Sequence, residues 1–343
     1  MGIEKRADPS LTVLRRRAVL ICVATTIVVA VFELLVGWRF ALLSVMTEGL
    51  HTAADLLDSL IALALVIAAS RPADSEHPYG HGKYDSLVAV IEGGGIGAAA
   101  AWALFKASQV LLGLADAAPR PDLSAMAVML GASVVYLVVS GYVLRLASRT
   151  HSPAVYAEAM HLRTHVYITI GLLVGLLLSR VGLDRGWAHA ERLDSLAALI
   201  LACYLLTVAV RVIRPGLRQL VDAALPRSEL DEIVGCLDVF RGEFVEIHAV
   251  RTRRAGTDRH VDIHLVVAPE TTVQAAHDLS HRIEDRLVEL YPGTRLLVHV
   301  EPAVGDALRD YVERDRVGVI LLGKGSPVER EATHHTSDSA HDV

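Results

Sequence analysis

Four side chains set in apolar sequence have the types and spacing of a metal site. His51 and Asp55 stand four apart in EGLHTAADLLDS, and His161 and His165 stand four apart in AEAMHLRTH. Residues four apart on a helix share one face, with Cβ atoms about 5–6 Å apart, so each pair is a two-toothed ligand set. Two such pairs on facing helices supply four donors, enough to close a tetrahedral shell around zinc or a similar ion. Three imidazoles and one carboxylate suit zinc, cobalt, nickel or iron(II) better than magnesium or calcium, which prefer oxygen ligands throughout. The competing reading is a hydrogen bond between helices for each pair; ligand-type residues at all four positions favour the metal. Asp58 lies one turn beyond Asp55, and Glu33 and Glu92 fall in two further apolar runs. An ionisable group at the centre of a membrane helix costs about 2.5–3.5 kcal/mol on insertion scales, which marks these residues as functional candidates.

The elements that must position these pairs are membrane-spanning helices. Hydrophobic residues make up 52% of the 343, concentrated in long runs up to about residue 214. Six spans can be drawn, roughly at 18–37, 44–69, 85–113, 124–147, 155–180 and 189–213. Each carries about 20 apolar-rich residues, the length a helix needs to cross a bilayer. An open sheet is excluded because its edges would leave peptide groups unpaired in lipid. A signal peptide would need a short apolar core and a small-residue cleavage site, whereas the first run, Ala18 to Val36, is about long enough to cross the bilayer and is read as a span that stays in place. Lys and Arg gather at the N-terminus, at Arg71 and Lys83, at Arg145 and Arg149, and at Arg211, Arg214 and Arg218. The opposite loops hold only Arg39, Arg120, Arg180, Arg185 and Arg192. The richer side is cytoplasmic by the positive-inside rule, which puts both termini inside.

The chain therefore divides into a cytoplasmic N-terminal segment (1–17), a transmembrane domain (18–214), a cytoplasmic domain (215–303) and a polar, disordered tail (304–343). A net charge of −6 without a basic cluster argues against a nucleic-acid partner. Cys22, Cys203 and Cys236 are scattered and form no CxxC pair, so no disulfide framework is implied. No HExxH or similar helix supports a membrane-bound metallohydrolase. A non-transporting metal sensor or scaffold is the nearer alternative, though a scaffold has no need of ligands in lipid.

The stretch HTAAD followed by RPADSEHPYGHGKYD resembles the second span and following loop of the cation diffusion facilitators. AEAMHLRTH is similar to their fifth span, and LVDAALP to the junction with their cytoplasmic domain. The likeness covers about residues 15–302. It implies an inner-membrane homodimer that exports divalent transition metals in exchange for protons by alternating access, with no organic cofactor. It also implies that His51, Asp55, His161 and His165 form the transport site. Relatives commonly carry Asp at the position of His165; the substitution removes a negative charge, adds a softer donor and weakens a claim to manganese, leaving zinc first and cobalt, nickel, cadmium or iron(II) open. By the same resemblance Asp74, His77 and His81 form a loop site, where the two histidines alone would read as ordinary loop residues. Lys83 and Asp222 match a charge pair that ties the dimer together near the membrane surface.

Beyond Arg227 the pattern is that of an α+β domain of order αββαβ, with two helices (about 227–241 and 273–291) on one face of a three-stranded sheet, a ferredoxin-like or metallochaperone-like arrangement. VEIHAVRTRR, HVDIHLVVA and TRLLVHVEP alternate as half-buried strands do. His248, His264 and His299 fall on the strands, His277 opens the second helix, and Glu301 shares a sheet face with His299. The resemblance makes these five a regulatory metal site at the dimer contact. His260 and His281 read as surface residues, the run 317–322 has no assigned place, and His334, His335 and His341 lie in the tail.

Overall fold

A run of about 20 apolar residues satisfies its own backbone in lipid as a helix, and six such helices form among the described residues. The computed structural model describes residues 9–115, 123–187, 192–305, 307, 309 and 319–320. The helices are α1 (Pro9–Arg39), α2 (Leu43–Ala69), α3 (Lys83–Leu111), α4 (Leu123–Thr150), α5 (Pro153–Asp184) and α6 (Leu193–Leu220), and all six are long and apolar enough to span a membrane. They make one compact unit, Pro9–Val221, and the described chain from Asp222 onward makes a second.

Two helices outrun their apolar cores. The first was expected to start at residue 18, yet α1 already begins at Pro9. Arg15 lies inside it, buried, 3.5 Å from the fully buried Asp85 of α3. Ser152, which caps α5 by accepting from the Val155 amide, donates to both oxygens of the same Asp85 at 2.9 and 2.7 Å. A buried charge is tolerated when it is paired and hydrogen-bonded, so a hydropathy window stops short of where the helix does. The last span was expected to end near 213, but α6 runs through Pro215 to Leu220. Pro removes one backbone donor, and three tertiary contacts hold the helix beyond it. Gly216 lies so close to α3 that a Cβ would meet the Ser86 carbonyl oxygen at 2.5 Å. Ser86 Oγ donates to Gln219 at 2.8 Å, and Lys83 Nζ donates to the Leu220 carbonyl at 3.3 Å. The units accordingly divide after Val221 rather than at 214. Small residues let α3 and α6 approach closely, as Gly and Ala commonly do between membrane helices.

The second unit has its own core. Helix α7 (Arg227–Asp238) is followed by strands β1 (Glu246–Ala255) and β2 (Asp258–Val267), helix α8 (Val273–Leu290) and strand β3 (Thr294–Pro302). Val261, Ile263, Leu265 and Val267 point to one face of β2, where Ile233 and Leu237 of α7 and Leu279, Ile283 and Leu287 of α8 cover them. Among the described residues the sheet has four strands, not the three expected. Val319–Ile320, within the supposed polar tail, forms β4 and gives the order β3-β2-β1-β4. It pairs parallel with Glu246 and Ile247 of β1; two residues carry no readable alternation, which is why the run had no place in the sequence. His334, His335 and His341 lie outside the described residues.

Candidate metal centres

Helices α2 and α5 carry the two spaced pairs and bring most of them together. Asp55 Oδ2 lies 3.4 Å from His165 Nε2 and 3.8 Å from His51 Nε2. Asp55, His161 and His165 each present a ligand atom within 4.8 Å of the others, close enough to share an ion. These three side chains are 11 to 14% exposed, whereas His51 is 61% exposed and its ring centroid is 6.4 Å from that of His165. His51 therefore stands at the rim of the trio, one turn from Asp55.

Polar neighbours surround the trio. Glu92 Oε2 of α3 is 3.1 Å from His161 Nδ1. Glu158, fully buried on α5, accepts from Ser59 Oγ at 3.3 Å, and Glu33 of α1 accepts from Thr52 Oγ1 at 2.8 Å. The Tyr136 ring of α4 stacks on His165 at 4.8 Å between centroids. Glu33 and Glu92 were visible in the sequence as charges in apolar runs. Glu158 was missed, although its place three residues before His161 puts it near the same helical face. Tyr136 had no signal, since an aromatic in an apolar span reads as core or lipid contact.

The loop between α2 and α3 folds around Asp74. Its Oδ1 accepts from the backbone amides of His77 at 2.7 Å and Glu76 at 3.0 Å. The His77 amide bond first, joined by the Glu76 amide bond and the charges of His81 and His77, holds the carboxyl below the usual Asp range against desolvation. Gly80, at φ +84, closes the turn. His77 Nδ1 and His81 Nε2 each lie 3.5 Å from Asp74, and the three can share an ion. His81 Nδ1 is 3.2 Å from the Pro72 carbonyl; a carbonyl only accepts, so a proton on Nδ1 would complete a hydrogen bond there.

In the second unit the five predicted residues divide between two sides of the sheet. His248 pairs with His264 across β1 and β2, and His264 with His299 across β2 and β3. Alternation along each strand puts these and Glu301 on the face away from the helices. A bulge after His248, with Ala249 at φ +49, lets Val250 rejoin the core beside Ile247 without turning His248 inward. His264 Nδ1 is 2.7 Å from Glu301 Oε1, His299 Nε2 is 3.4 Å from the same oxygen, and His248 Nε2 is 3.8 Å from Oε2. His248, His264 and Glu301 can share an ion. His277 lies elsewhere: with His281, whose ring is 4.4 Å away, it lines a groove of about 470 Å³ with Leu296, Val298 and Val300 of the helix-covered face. His260, expected at the surface, is buried at 8% exposure, because it sits on the central strand between Arg253 of β1 and Arg295 of β3. Of the expected charge pair, Lys83 caps α6 as described and Asp222 lies 3.5 Å from Arg253.

Comparison with known proteins gives a family match in each unit. Residues 19–221 match the cation efflux transmembrane domain, and residues 225–303 match the cation efflux protein cytoplasmic domain. The uncharacterized transporter sll1263 of Synechocystis is 32% identical over 260 residues, 75% of this chain and 80% of that protein. The cation-efflux pump FieF of Yersinia pestis is 29% identical over 299 residues, 86% of this chain and 95% of that one. The metal-bound C-terminal domain of the CzcD transporter from Thermotoga maritima is 29% identical at a TM-score of 0.21, covering 23% of this chain and 94% of the solved one.

Proposed function

The chain belongs to the cation efflux family of membrane transporters, also called cation diffusion facilitators, and from that premise we propose that it exports a divalent transition-metal ion, zinc first among them, in exchange for protons. The observation that carries this reading is the convergence of Asp55, His161 and His165 within 4.8 Å of one another between two spanning helices. Neutral imidazoles and an ionised carboxylate take the ion from the cytosol, with His51 at the rim as a fourth donor. The bundle then reorients, and protons from the far side compete for the same lone pairs. Imidazole suits this exchange because its unperturbed pKa of about 6.5 is near working pH, and ligation requires deprotonated donors. The donors are two-thirds or more nitrogen, which favours zinc, cobalt, nickel, cadmium and iron(II) over harder ions. The protein is placed by this reading in the inner membrane with both termini in the cytosol.

The cytoplasmic cluster is the proposed sensor. One ligand trio opens on the helix-free face while His277 lies on the other side of the same sheet, so a set containing all five can close only with a second copy. Metal bound there would join two chains as a homodimer, to which the Lys83 and Asp222 positions also contribute. The Asp74, His77 and His81 loop offers a further ion site of the same donor type.

Transport in sealed vesicles under a pH gradient tests the function. Asp55→Ala and His161→Ala proteins are expected to lose proton-driven zinc flux. Flux at the wild-type rate in both would remove the site assignment, and absence of flux in the wild type would favour a sensor without transport.

A further inference from the structure

We propose that Glu92 is a positioning residue for transport: it holds His161 in the tautomer and orientation that aim Nε2 at the ion. This rests on the reading of His161 as a transport ligand. Glu92 is 3% exposed on α3, and its Oε2 lies 3.1 Å from His161 Nδ1 on α5. His161 Nε2 is buried and has no hydrogen-bond partner among the described residues. A neutral imidazole has one N–H and one lone pair, and an ionised carboxylate only accepts. With Glu92 ionised and the ring neutral, as ligation requires, the proton sits on Nδ1 facing Glu92 and the lone pair is left on Nε2. A metal-ligating histidine almost always gives its second nitrogen's proton to a carboxylate, carbonyl or water, and that partner fixes the ring and raises its basicity. Glu158, the other buried carboxyl near His161 on α5, engages Ser59.

The location of Glu92 gives the contact a further consequence. Its neighbour Gly93 is packed so tightly against α6 that a Cβ would meet Ile213 Cγ1 at 2.6 Å. The acceptor is thus carried by a helix wedged against α6, and the ring it orients belongs to α5. The trio itself holds one carboxylate, Asp55, and Glu92 places a second one beside it.

The experiment uses the full chain in proteoliposomes, with zinc as the probe and Glu92→Leu and Glu92→Gln as variants. The glutamine carbonyl still accepts from Nδ1; leucine cannot. The leucine variant is expected to raise the zinc KM by about 10–100-fold, with a smaller change in turnover at saturating zinc, and glutamine to restore KM to near the wild-type value. A wild-type KM in the leucine variant, or equal impairment in the two, overturns the proposal. Should leucine prevent folding, a tenfold rise in KM for the glutamine variant overturns it alone. His161→Ala run in parallel separates the two readings: a normal KM there removes the transport ligand itself, whereas impairment there with normal Glu92→Leu removes only the role of Glu92.

Discussion

The resemblance to the cation diffusion facilitators implies Asp where this chain has His165, and the geometry shows what a histidine there meets. Its Nε2 is 3.4 Å from Asp55, and its ring is stacked against Tyr136. An aspartate at this position would exchange a borderline-soft nitrogen for a hard oxygen and add a negative charge. His165→Asp is therefore expected to improve manganese transport relative to zinc, with a change in the rate ratio of roughly tenfold, equivalent to about 1.4 kcal/mol. Paired uptake of the two metals into vesicles measures it, and an unchanged ratio would mean that His165 does not face the ion. The four residues were legible because spacing of four and the cost of polar groups in lipid are both properties of sequence. Their unequal burial was not legible. Helical periodicity puts His51 and Asp55 on one face, but only the packing of α2 against its neighbours decides that Asp55 turns inward and His51 stays at the rim. The acceptor for His161 likewise depends on which residue of α3 comes level with it.

At the scale of elements, ion pairs explain much of what the apolar pattern could not. Glu229 opens α7, where a carboxylate suits the helix N-terminus. Its Oε1 accepts from Arg254 of β1 at 2.7 Å and its Oε2 from Arg259 Nε of β2 at 2.9 Å. Burial pushes the Glu229 carboxyl up, but the Arg259 hydrogen bond and the charges of both arginines outweigh it and leave it below the usual Glu range. A lowered folded-state value means that this tie contributes fully above the unfolded Glu value of about 4.3 and is lost as pH falls through the folded one. Glu229→Ala should destabilise a fragment beginning at Asp222 by about 3 kcal/mol at pH 7, since it leaves two largely buried guanidinium groups without their carboxylate. Chemical unfolding at pH 7 and near pH 3 checks both parts; a gap of equal size at the two would contradict the assigned charge pairing. The order αββαβ was readable from alternation and turn residues. The helix extensions through Arg15 and Pro215 were not, because each is stabilised by a residue far away in sequence, Asp85 in one case and Ser86 in the other.

For the whole molecule, the division of the proposed ligands in the second unit gives a test of assembly that does not depend on transport. If His277 served its own chain, it would have to reach a trio on the opposite side of the sheet, past the strands that separate them. If it serves a second copy, two-fold pairing creates two equivalent sites, each taking His264 from one chain and His277 from the other. Chains carrying His264→Ala and His277→Ala are each expected to lose metal in this unit when purified alone. Co-expressed with different tags and isolated through both, the mixed dimer has one site lacking both residues and one site with both intact. The zinc bound per dimer should then recover by one site set relative to either parent, measured by elemental analysis. Sites confined to single chains predict no recovery, because each chain of the mixed dimer still lacks one of its own ligands. The same count distinguishes a joint made by metal from a dimer held only by other surfaces, since the latter would form in all three preparations with no recovery of bound zinc.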